Sequence, residues 1–212
     1  MKKRISTKNV INTTVEDYYN TIRTNIILKN KNFKTIVATS IKQSNTKSKN
    51  ALNIAFSFAK LGIRVLYVDC DFRKLNKDRL FKFKENLVGL RNFLEYKTDF
   101  YDIVFQTELD NFDVILAGDS TKNPLDLLQN DRINLFFEYI NSEYDLVIID
   151  VPDLNSSIDA SLIARKCDSS ILFVESGKSN KEEILHSKSK LENIGVDVLG
   201  IILNQVQIKT KH

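Results

Sequence analysis

The sequence predicts an α/β domain built on a doubly wound, mostly parallel β-sheet, and three observations carry that expectation. Short β-rich runs recur along the 212 residues, at Thr35–Thr39, Arg64–Asp69, Phe112–Ala117, Asp145–Asp150, Ser170–Glu175 and Val198–Leu203. Helical patterns fill the gaps at Ser48–Lys60, Asp131–Asn141, Asp159–Arg165 and Lys181–Asn193. Runs such as LVIID and ILFVE are apolar almost throughout instead of alternating, which marks strands covered on both faces. Repeated β-α-β units of this kind give a parallel sheet with helices on either side.

In chain order, the basic start MKKRISTKNV lacks the apolar segment of a secretory leader, and no run approaches the length of a membrane span. The stretch EDYYNTIRTNIIL reads as an amphipathic helix with Ile22, Ile26 and Ile27 inward. The first strand is followed by the polar loop IKQSNT, a helix, and a second apolar run ending RVLYVDCD. Phe72–Glu108, rich in charge and phenylalanine, is the least regular segment and reads as an insertion over the site. Phe81, Phe83, Phe93, Phe100 and Phe105 are expected in the core or in a partner groove. The organisation expected is an N-terminal arm and helix over 1–30, one domain over 31–208, and a tail over 209–212.

Composition narrows the function classes. A chain with 42% hydrophobic residues supports one well-buried core. Cys70 and Cys167 have no metal or CxxC spacing and read as buried free thiols of a reducing cytoplasm. Net charge +4, from 31 basic and 27 acidic side chains without a dense basic stripe, gives no basis for a nucleic-acid partner. His186 on a polar face and the terminal His212 read as solvated, and Ser156–Ser157 lack the base that a nucleophile needs.

The informative segment is VATSIKQSNTKSKN. In the pattern G-x-x-x-x-G-K-[ST], backbone N–H groups curl around a polyphosphate while the Lys neutralises charge and the hydroxyl holds Mg²⁺. Lys47 and Ser48 supply that charged end, but Ile41 and Thr46 stand at the two glycine positions. Asp150 closes an apolar run, where open α/β sheets place ligands. Asp69 and Asp71 close another, with Arg73 and Lys74 after them; residues at i and i+2 of an extended segment point the same way and can act as a pair. Hard carboxylate oxygens suit Mg²⁺, which needs only one or two protein ligands beside the phosphates.

Together these residues resemble the bacterial tyrosine kinases of capsule and exopolysaccharide synthesis, relatives of the partitioning and cell-division-site P-loop ATPases. YVDCDFRK looks like the second Walker motif of that family, VIIDVPD like its Walker B strand, and TIRTNIIL like its N-terminal helix. Asn123, Pro124 and Leu127 match its NP-x-E-LL element. From about Asp17 to Asn204, the resemblance implies a P-loop NTPase fold, ATP and Mg²⁺ as cofactors, and tyrosine phosphorylation. It implies Lys47 with Ser44, Asn45, Thr46, Ser48 and Lys49 around the phosphates, Asn204 at the adenine, and Ser48, Asp71 and Asp150 on the metal. Asp69 or Asp71 would act as base, with Lys47 assisting. The implied partner is the cytoplasmic segment of a membrane modulator, so the protein itself is expected in the cytoplasm.

Departures temper the activity. A non-glycine residue driven to positive φ costs on the order of 1–2 kcal/mol, so Ser44 and Thr46 are expected to strain the loop or reshape it, and activity is expected to be weakened or lost. Lys42 lies where partitioning ATPases carry a second lysine, a spacing that so Lys-rich a chain also reaches by chance. Asp17, Asn20 and Arg23 stand where the family carries E-x-x-R-x-x-R, so a ring oligomer is doubtful. The last tyrosine is Tyr144, which leaves no C-terminal tyrosine cluster in this sequence.

Overall fold

The computed structural model describes residues 3–29, 32–75, 80–81 and 87–205. Eight strands form one sheet in the order β1-β4-β5-β3-β6-β2-β7-β8: β1 Lys3–Arg4, β2 Thr35–Ser40, β3 Val65–Asp69, β4 Val104–Gln106, β5 Phe112–Ile115, β6 Leu146–Asp150, β7 Ser169–Glu175 and β8 Asp197–Asn204. All neighbouring pairs are parallel except β4 with β5. Seven helices surround it among the described residues: α1 Glu16–Ile27, α2 Lys47–Ala59, α3 Leu90–Leu94, α4 Pro124–Leu128, α5 Arg132–Glu143, α6 Ile158–Ala164 and α7 Lys181–Asn193.

Alternate strand residues feed opposite faces, which is why the apolar runs are continuous. Leu66, Val68, Val147, Ile149 and Leu172 pack with α5, α6 and α7 residues such as Phe136, Ile163 and Leu191. Val65, Tyr67, Ile148, Ile171 and Phe173 pack with Leu52, Ile54 and Phe58 of α2 and with Tyr19 and Ile26 of α1. The doubly wound reading therefore stands, and the main strands lie within a few residues of the expected runs. The arm contributes its own strand, since Lys3 and Arg4 pair with Phe105 and Gln106. The boundary at 208 and the tail 209–212 fall outside the described residues, as does Phe83.

Sequence patterning does not anticipate β1, β4, α3 and α4, which are two to five residues long, too short to show a period. Of the irregular segment, Phe93 and Phe100 are core residues of one face and Phe81 and Phe105 of the other.

The order of strands places the site. β2 lies between β6 and β7; the connection from β2 runs past β6 to β3, whereas the connection from β6 runs the other way, past β2 to β7, so the winding reverses here and a crevice opens at the carboxyl ends. Asp168 clamps the amino end: one carboxylate oxygen accepts from the N–H of Lys34 and of Thr35, both at 2.8 Å, and from the Thr35 hydroxyl at 2.9 Å.

Gly89, at the start of α3, lies where a Cβ would come within 2.3 Å of the Leu116 carbonyl oxygen and 2.4 Å of the Gly118 nitrogen. Both are backbone atoms and cannot swing aside. Gly89→Ala is expected to lower unfolding stability by about 1–3 kcal/mol, read as a lower urea midpoint; an unchanged midpoint contradicts this packing.

Candidate functional site

Beyond the carboxyl ends of β2, β3 and β6 lies a cavity of about 890 Å³, lined by Lys42, Ser44, Asn45, Lys47, Ser48, Asp71, Lys74 and Asp153 among others. The first turn of α2 forms one wall. A helix start directs its unpaired N–H groups outward and carries partial positive charge, which favours an anion.

Here those donors are turned inward. The Ser44 hydroxyl accepts from the N–H groups of Thr46 and Lys47 at 3.4 and 3.3 Å, so a side-chain oxygen sits where an anion oxygen would. The contacts are long and therefore weak. Thr46, at the helix boundary, has φ −110° and ψ −17°. Among the described residues only Tyr96 and Gln205 are non-glycines at positive φ. The expected left-handed strain at Ser44 and Thr46 is therefore absent: the loop turns without it, and the replacement of glycine changes the cradle's shape instead of storing strain.

Lys47 and Asp150 make the central contact. The Lys47 ammonium pairs with Asp150 Oδ1 and donates to the Val151 carbonyl at 2.6 Å. Tyr67, from β3, donates its hydroxyl to Asp150 Oδ2 at 3.1 Å. Burial, with the charges of Asp150 and Asp69 adding, pushes the Tyr67 phenol well above its ordinary range, so it remains a donor. Asp150 is only 1% exposed, and both of its oxygens are occupied.

Asp69 lies opposite Asp150 in the β3–β6 register, and its Oδ1 accepts from the Asp71 N–H at 2.9 Å. This turns the chain so that Asp71 lines the cavity. Burial raises the Asp71 carboxyl above its ordinary value; Lys47 opposes the shift and Asp150 adds to it. Cys70, between the two aspartates, is buried, and desolvation pushes its thiol well upward.

Arg73 also lines the cavity and is tied to α6: its Nε donates to Asp159 Oδ2 at 2.8 Å, on a carboxylate buried at the start of that helix. Lys74 reaches the Ser48 hydroxyl at 3.5 Å, a contact that motif matching does not reveal because nothing in the spacing sets the lysine's direction. Lys42 pairs with Glu183 of α7 at 2.8 Å and donates to the Lys178 carbonyl at 2.9 Å.

Of the expected site residues, Thr46, Lys49, Asp69, Asp150 and Asn204 do not line the cavity; Asp69 and Asp150 are buried behind it, at the ends of β3 and β6. Asn204 accepts from Asn50 at 2.9 Å and donates to the Thr46 hydroxyl at 3.4 Å, while Tyr19 of α1 donates to Asn50 at 2.8 Å. Arg23 is engaged inside the chain, donating to the Ser57 carbonyl of α2. Ser156 donates to Asp153, and His186 is exposed.

No group of three or more His, Cys, Asp or Glu side chains is gathered for a resident metal among the described residues. The hydroxyl of Ser48 and the carboxylates of Asp71 and Asp150 are instead a sparse set of hard oxygens, which fits Mg²⁺ that arrives already carried by phosphates.

A sequence profile described as an AAA domain matches residues 33–181. The tyrosine-protein kinase CpsD of Streptococcus pneumoniae serotype 4 is 36% identical over 193 residues, covering 91% of this chain and 85% of that protein. The chain belongs to the bacterial tyrosine-kinase family. The kinase domain of the Escherichia coli tyrosine kinase ETK superposes with a TM-score of 0.82 at 28% identity, over 93% of this chain and 78% of that one. The cell-division ATPase MinD of Pyrococcus furiosus, 21% identical, shares the fold, with a TM-score of 0.65 over 80% of this chain and 71% of MinD. The site of this bacterial tyrosine-kinase chain thus sits on a P-loop NTPase scaffold, and no described helix is long and apolar enough to cross a membrane.

Because its folded-state proton affinity is raised, ionised Asp71 costs stability, and that cost is absent below the unfolded value of 3.8 and grows as pH rises through the raised value. Asp71→Asn is expected to melt higher than the wild type at pH 7, with the difference vanishing toward pH 3.8. Equal melting temperatures at pH 7 would remove the case that burial perturbs this group.

Proposed function

We propose that this protein is a MgATP-binding, tyrosine-kinase-like P-loop protein of capsular or exopolysaccharide synthesis, with activity that its altered loop weakens. The observation that carries the reading is the ion pair between Lys47, which lines the cavity, and the buried Asp150: the charges that nucleotide chemistry needs are present, and each satisfies the other. Asp150, Ser48 and Asp71 would hold Mg²⁺, and Lys47 with the N–H groups at the start of α2 would hold the phosphates. Bound Mg²⁺ supplies charge neutralisation at the phosphate oxygens.

The rest is the work of the chain. Lys47 has to leave Asp150, and Ser44 has to release the N–H groups of Thr46 and Lys47, before an anion can occupy the cradle. Each exchange subtracts from affinity, because a contact already made is lost. Asp71, which lines the cavity and whose carboxyl burial raises above its ordinary value, accepts the proton of a tyrosine hydroxyl; Asp69 holds the turn that presents it. Asn204 lies too far into the α2 contact to be assigned the base without the Thr46 link breaking.

A second reading, a pseudokinase that keeps the fold and its contact with a cytoplasmic segment of a membrane modulator, is favoured by the same self-occupied cradle. In either case the protein acts in the cytoplasm and reaches the membrane through that partner.

Calorimetric titration of MgATP is expected to give weak binding that EDTA weakens further, and Lys47→Met is expected to give none. Tight binding indifferent to EDTA would sink the proposal. Restoring Ser44→Gly with Thr46→Gly removes the internal acceptor and the β-branched side chain, and should raise affinity on the order of tenfold, the equivalent of about 1.4 kcal/mol. Phosphate transfer to a tyrosine peptide by that double variant supports the kinase reading. Binding without transfer supports the pseudokinase.

A further inference from the structure

We propose that Tyr67 is a positioning residue for Asp150, fixing one carboxylate oxygen so that the other alone is exchanged between Lys47 and a metal ion. This rests on the reading above that Asp150 meets Mg²⁺.

The placement of Tyr67 is not explained by packing. β3 is buried along its whole length, and Val65, Leu66 and Val68 fill their positions with apolar side chains. Tyr67 is 1% exposed and packs among the apolar residues between the sheet and α2. A phenylalanine or leucine would fill such a place without a polar atom to satisfy, whereas a buried hydroxyl requires a partner. Its partner is Asp150 Oδ2, at 3.1 Å.

The two donors on Asp150 differ in kind. Lys47 is a long flexible side chain that lines the cavity and can swing to another anion. Tyr67 is a rigid ring on a strand buried along its whole length, 1% exposed and packed in the core, and it does not line the cavity. Oδ2 is therefore held while Oδ1 is free to change partner, and the carboxylate cannot rotate to offer both oxygens. Hydrogen bonds behind a metal ligand of this sort typically contribute 10–100-fold to metal affinity.

The test is a fluorescence titration of mant-ADP at rising Mg²⁺ concentrations, on the wild type and on Tyr67→Phe, with a parallel series in EDTA. The expected result is an increase of about 10–100-fold in half-saturating Mg²⁺ for Tyr67→Phe, with metal-free nucleotide affinity unchanged. A purely structural role would move both series together, and that outcome overturns the proposal. An unchanged Mg²⁺ dependence overturns it too, while leaving nucleotide binding intact. If the wild type shows no Mg²⁺-dependent binding, the function proposed above falls and this role falls with it. Should Tyr67→Phe fail to fold, Tyr67→Leu, which also lacks the donor, serves in its place.

Discussion

The buried pair between Lys47 and Asp150 is the constraint on which the site depends. A carboxylate 1% exposed at the end of a central strand is costly unless it is paired and hydrogen-bonded. Lys47 supplies the charge, Tyr67 the second hydrogen bond, and the Val151 carbonyl holds the ammonium in place. The pair links α2 to β6, and the contact from Cys70 N–H to the Asp150 carbonyl at 2.8 Å links β6 to the end of β3. The elements that carry Lys47, Asp71 and Asp150 are thereby locked into one geometry without any ligand.

Much of this was legible in the sequence. Continuous apolar runs gave away the two-faced burial of β3, β6 and β7, and the acids closing β3 and β6 fell at the carboxyl ends where the crevice opens. Lys47, Ser48 and Asp71 line one cavity, and Asp150 is buried behind Lys47, to which it is paired. What the sequence did not contain was direction. Nothing in IKQSNTKS says that Lys47 turns back onto Asp150, or that Ser44 folds over its own helix start. Tyr67 was invisible for a different reason: within RVLYVD a tyrosine counts as an ordinary strand former, and its hydroxyl acquires meaning only when β6 is laid beside β3. The short elements β1, β4, α3 and α4 escape because two to five residues carry no period.

The departures from the family pattern also look different once folded. Substituted glycines suggest a strained loop, yet the loop has found a relaxed path and filled the anion's place with its own oxygen. The N-terminal helix likewise uses Arg23 and Tyr19 inward, one on the Ser57 carbonyl and the other at the end of a polar chain through Asn50 and Asn204 to Thr46. In this chain α1 is tied to the rim of the phosphate loop by hydrogen bonds, and a shift of the helix has a physical route to the cradle.

Cys70 sits between the two aspartates, 2% exposed, with its thiol held protonated by burial and by surrounding negative charge. Thiolate is the reactive form, so the native protein should be nearly inert to alkylating reagents. Cys167, buried near Asp168, is shielded in the same way. The rate at which Cys70 is labelled therefore reports how often the core around the β3 terminus opens, and that of Cys167 how often the segment between α6 and β7 opens, which makes the two cysteines built-in clocks for local unfolding at two places in the fold.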